Sequence, residues 1–97
     1  SFTVGALSQP VITTSNAPTA NRRPTITWDD DPASVATEIW INHEGVTNRL
    51  VHELNLTGNS FTPAFDFAPG RYALWVRSRS ITGVRSEWSA ALRLDVV

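Results

Sequence analysis

The chain has 97 residues, with eight basic side chains against nine acidic ones and a formal net charge of −1, which argues against a general attraction to nucleic acid or to an anionic membrane. Its length suits one domain that buries somewhat more than ~60% of the unfolded chain's surface, and no apolar run approaches the ~18 residues that cross a bilayer. Without Cys, neither a disulfide framework nor a thiolate metal site is available, and the redox compartment stays open.

All eight basic residues are Arg, which reads as the codon bias of a GC-rich genome rather than as a functional feature. No charged-then-apolar leader opens the chain, as expected of a piece of a longer protein.

In chain order, residues 1–8 are expected to be a linker or N-terminal extension, and 9–97 the folded domain. Phe2, Val4 and Val11-Ile12 supply the apolar residues of a first edge strand, where Pro10 is tolerated because an edge can lose a donor. Asn16-Ala17-Pro18 and Asn21 mark a loop. Arg23 to Trp28 alternates, so Ile26 and Trp28 share one face and Trp28 is the largest expected core anchor. Asp29-Asp30-Asp31-Pro32 breaks that strand.

Thr37 to His43 alternates again, with Ile39 and Ile41 inward and Trp40 outward beside Glu38 and Asn42. Thr47 to Leu56 supplies one or two further strands. Ser60 to Phe67 reads as a Phe-rich strand at an edge or bulge, because it contains Pro63. Pro69-Gly70 signals a turn. After it, Tyr72, Leu74 and Val76 alternate with Ala73, Trp75, Arg77 and Arg79. Ala91 to Val96 alternates once more. About seven short strands without a helical period are the signature of an all-β, antiparallel sandwich.

On these landmarks the chain resembles a fibronectin type III domain over residues ~9–97. Trp28 stands where that family has its buried strand-B Trp. Phe67-Ala68-Pro69-Gly70-Arg71-Tyr72 resembles its Pro-Gly turn and tyrosine corner, one residue shorter than the commonest version. The resemblance implies a seven-stranded immunoglobulin-like β-sandwich in which the Tyr72 hydroxyl returns to a main-chain group of the corner. It also implies an F–G turn at Ile81 to Gly83, and a strand G that takes in Ser86 and Ser89 to Val96. No Arg-Gly-Asp occurs. A second segment, Arg85-Ser86-Glu87-Trp88-Ser89, resembles the Trp-Ser-x-Trp-Ser box of cytokine receptor domains, with Arg85 in place of the first Trp. In that family Arg side chains of strand F interleave with the box's rings, a role that Arg77 and Arg79 match here.

The candidate binding face therefore holds Trp40, Trp75, Arg77, Arg79 and Trp88, since clustered exposed aromatics mark partner surfaces. A structural Arg–Trp ladder is the competing and preferred reading, as guanidinium over indole contributes ~0.5–1 kcal/mol at exposed sites. Trp28, Tyr72, Pro69 and Gly70 are assigned structural roles. Asp29 to Asp31, even with Glu44 or Glu87, read as a solvated turn with Asx caps rather than a Ca²⁺ loop, because neighbouring side chains point apart. His43 and His52 lack zinc spacing and are expected on surface strands. Asn55-Leu56-Thr57 is a glycosylation sequon that matters only in a secreting eukaryote. No catalytic arrangement and no phosphate loop is evident, and no cofactor is expected.

The functional expectation is a non-catalytic, monomeric module of a larger extracellular or cell-surface protein, acting as spacer and protein–protein interaction domain. One alternative is a carbohydrate-binding module of a secreted hydrolase, with Trp40, Trp75 and Trp88 as a polysaccharide platform. The other is a ligand-binding domain of cytokine receptor type.

Overall fold

A computed structural model of the chain describes residues 7–97, so the strand residues expected at Phe2 and Val4, and most of the expected linker, lie outside the described residues. Seven strands form: β1 (Val11–Ile12), β2 (Ile26–Asp29), β3 (Ser34–His43), β4 (Thr47–Leu56), β5 (Ser60–Phe61), β6 (Gly70–Ser80) and β7 (Leu92–Val96). They build two antiparallel sheets, one in the order β1-β2-β5 and one in the order β4-β3-β6-β7.

Alternation decides what lies between the sheets, because a strand's side chains point to opposite faces in turn. Ile39 and Ile41 of β3, Tyr72, Leu74 and Val76 of β6, and Leu92, Leu94 and Val96 of β7 meet Ile26 and Trp28 of β2 across one core. Trp28 is 1% exposed. Ile12, Leu50, Leu56 and Phe61 close its margins.

The β5–β6 connection departs from the strand expected at Ser60 to Phe67. Pairing with β2 stops after Ile26↔Phe61, two residues before Pro63, which has no N–H to continue a ladder. Phe67 leaves the strand yet enters the core, with its amide donating to Arg22 O at 2.7 Å. Thr47 to Leu56 forms a single strand rather than two.

The corner before β6 is a stack of rings. Tyr72 lies between Phe67 and His43, with centroids 4.6 and 4.3 Å away and interplanar angles of 16° and 19°. The Tyr72 hydroxyl donates to Ala68 O at 2.6 Å. His43, expected on the surface, is instead buried at 9% exposure, because β3 pairs His43 directly with Tyr72. The ring leaves no room at Gly70: a Cβ there would collide with His43 Nε2, and its φ of +149° disfavours any other residue.

Candidate functional site

The outward face of the four-stranded sheet assembles the site. Register puts Trp40 of β3 opposite Trp75 of β6, Glu38 opposite Arg77, and Asn42 opposite Ala73. Trp88 arrives from the segment between β6 and β7. There Ser86 and Ser89 replace an ordinary ladder with a mixed one. The Ser86 and Ser89 amides donate to Ser78 O and Val76 O at 2.9 and 2.8 Å. In return Ser78 N donates to Ser86 Oγ at 2.9 Å and Val76 N to Ser89 Oγ at 3.1 Å. Three residues of the segment thus span two of β6, a bulge-like mismatch that throws Trp88 outward between the two serines. Strand pairing resumes only at Leu92, so Ser86 and Ser89 stand outside the strand expected to contain them.

Four contacts join the face into one network. The Arg77 guanidinium lies 4.4 Å from the Trp88 ring centroid. Trp88 meets Trp40 edge to face at 6.3 Å and 87°. Arg49 lies over Trp40 at 4.8 Å, and His52 packs against the same ring at 4.9 Å. Beneath them Glu38, 6% exposed, accepts from Arg77 Nε at 2.7 Å and bonds His52 Nε2 at 2.5 Å. Burial alone would raise the Glu38 carboxyl, but the bonds from His52 and Arg77 outweigh it and hold the group below its ordinary value of 4.5.

Arg49 was not legible as a member of this network. The β3–β4 register shifts between Ile41↔Val51 and His43↔Thr47, and within that bulge Arg49 adopts φ +54°. Asn42 Oδ1 stabilises the turn by accepting the Arg49 amide at 2.7 Å and Trp40 Nε1 at 2.8 Å. A non-Gly residue at positive φ costs on the order of 1 kcal/mol, and here the bulge re-aims a side chain onto an indole.

Of the five candidate binding residues, Trp40, Arg77 and Trp88 make mutual contacts. Arg79 does not join them: its Nη2 donates to Asn55 Oδ1 at 2.8 Å. Arg85, at the first Trp of the receptor-like box, is exposed and bridges to Arg79 through the backbone. Trp75 is half-buried and, among the described residues, has neither an aromatic nor a cation partner. With Trp40, Asn42 and Trp88 it lines a shallow recess of about 350 Å³. Because Trp40 and Trp88 stand at 87°, their rings form a corner rather than a flat platform.

The acidic turn is occupied by caps. Asp31 accepts from the amides of Ala33 at 2.9 Å and Ser8 at 3.1 Å, bonds that hold its carboxyl below the ordinary 3.8. Asp30 accepts from Thr37 Oγ1 and Asn59 Nδ2. Among the described residues no group of three or more His, Cys, Asp or Glu gathers to hold a metal ion.

No family model matches the sequence, and no curated protein does. Among solved structures the chain is similar to an Fn3-like protein from Clostridium thermocellum, at 17% identity and a TM-score of 0.65, over 98% of this chain and 96% of that one. It is also similar to the PKD domain of an M14-like peptidase from a Thermoplasmatales archaeon, at 19% identity and a TM-score of 0.54, over 93% and 94%. With the two antiparallel sheets, these likenesses make the fold a fibronectin type III-like, immunoglobulin-type β-sandwich.

Proposed function

We propose that the chain is a non-catalytic module of a larger extracellular or cell-surface protein, serving as a rigid spacer and a protein–protein interaction domain. The observation that carries the spacer role is the position of the two ends of the described chain. Ser8 donates to Asp31 in the β2–β3 connection, at the pole where Ser34 pairs with Ser80. Val96 pairs with Gly70 at the start of β6, so the chain leaves from the other pole, ~33 Å away along an eleven-residue strand. A module entered at one pole and left at the other sets its neighbours apart by its own length. The Arg–Trp–Glu–His network links β3, β4, β6 and the 86–89 segment, which suits a stiff unit.

The non-catalytic part of the proposal is supported by what the polar groups already do. The buried Glu38 carboxyl and the half-buried His52 ring are bonded to each other. Small-angle scattering of the full-length protein, with and without residues 9–97, tests the spacer. The proposal expects the deletion to shorten the maximum dimension by roughly the module's length. An unchanged dimension, or substrate turnover by the isolated chain, would count against it.

A further inference from the structure

The recess beside Trp75 differs in chemistry from the rest of the face. Its lining, Trp40, Asn42, Trp75 and Trp88, carries no charged side chain. The cations nearby already have partners: Arg77 has Glu38 and the Trp88 ring, Arg93 has Glu44, and Arg49 lies over the Trp40 ring. The volume of about 350 Å³ lies at the small end of the ~300–1,000 Å³ range of ligand sites.

Its polar groups are donors. Asn42 Oδ1 already receives two N–H groups, which fixes the amide and leaves Nδ2 to donate outward. The indole N–H groups of Trp75 and Trp88 have no acceptor among the described residues, while that of Trp40 is used by Asn42. An apolar ring face surrounded by donors, without charge, complements a ring that has C–H groups on its face and several oxygen acceptors on its edge. The corner set by the 87° angle between Trp40 and Trp88 admits a single ring and not a flat crystalline surface.

We propose that this recess binds one residue of a neutral saccharide, at a chain end or in a short soluble oligosaccharide. The sugar's C–H face lies on Trp75, and its hydroxyl oxygens accept from Asn42 Nδ2 and the indole N–H groups. A proline-rich peptide also offers apolar rings, but it presents one carbonyl per residue along a rise of ~3.1 Å. Several acceptors around one ring match the clustered donors better. Trp75 is the specificity-determining side chain, because it is the indole of the three that the Arg–Trp network does not engage.

Short neutral oligosaccharides of glucose, mannose, galactose, xylose and N-acetylglucosamine, together with a proline-rich peptide, are to be titrated into the ¹⁵N-labelled chain by NMR. The proposal expects at least one sugar to bind with a Kd of about 1 mM or tighter, shifting the Trp75 indole N–H and the Asn42 side-chain amide. Trp75→Ala weakens that binding roughly tenfold or more, and Arg23→Ala, at an exposed ion pair with Asp66, leaves it unchanged. The shifts in the native chain carry the test if Trp75→Ala fails to fold. Absence of saturable binding by every sugar, shifts confined to other residues, or binding of the peptide alone would overturn the proposal.

Discussion

Replacing Trp88 by Ala removes the ring that joins the 86–89 segment to the sheet. The indole is mostly buried, which corresponds to ~150 Å² of a side chain that covers ~150–250 Å² when enclosed. At ~25 cal/mol per Å² this area is worth about 4 kcal/mol, reduced to about 2–3 kcal/mol by the area the unfolded chain already covers. The Arg77 contact at 4.4 Å adds ~0.5–1 kcal/mol, but it counts part of the same area. Arg77 keeps Glu38 as a partner in the variant, so no uncompensated buried charge enlarges the loss. The expected destabilisation is therefore about 2–3 kcal/mol, or roughly 10–20 °C in melting midpoint for a domain of this size. Urea unfolding followed by far-UV circular dichroism measures it, with an unchanged m-value. A loss below ~0.5 kcal/mol, as at an ordinary surface site, would instead put Trp88 free in solvent.

Other consequences follow from the same geometry. Ser89→Ala removes the Oγ that accepts the buried Val76 amide and should cost about 1–3 kcal/mol in urea unfolding. Tyr72→Phe loses the bond to Ala68 O, with an expected cost of ~1 kcal/mol. Burial raises the Tyr72 phenol above its ordinary value of 10.0, so its contribution is present below that pH and fades as pH rises through the folded value. The Phe variant should accordingly show a flatter alkaline limb. The Glu38 carboxyl is held low, so its contribution is complete above about 4.5 and lost as pH falls through the folded value. Glu38→Gln should be less stable than the parent at neutral pH and should lose less on acidification, as read from denaturation midpoints across a pH series.

The fold was legible wherever local alternation and the core agreed. Ile39, Ile41, Leu74 and Val76 each read as inward from their immediate neighbours, and each is fully buried. Phe61, Phe65 and Phe67 misled because they too alternate. Pro63 ends the ladder, Phe65 is 43% exposed, and Phe67 reaches the core from a loop. His43 continues the inward face of Ile39 and Ile41 at period two, but its polar ring argued for the surface, and the Tyr72 ring that covers it is supplied by a strand 29 residues on.

The outward face was legible as residue types and not as contacts. Trp75, Arg77 and Trp88 announce themselves by composition, whereas Arg49 joins through a bulge and a positive φ that only the cross-strand register produces. The family resemblance placed Ser86 and Ser89 in the last strand, and nothing in a sequence distinguishes a hydroxyl that faces water from one that accepts a neighbouring strand's amide, as theirs do.

Arg77 and Trp88 stabilise each other on the outer face, and Trp75 stands outside their network. A double-mutant cycle on Arg77→Ala and Trp88→Ala, read by urea unfolding, tests that mutual stabilisation most directly. A favourable coupling of about 0.5–1 kcal/mol is expected, and one indistinguishable from zero would mean that the ring and the guanidinium do not stabilise each other.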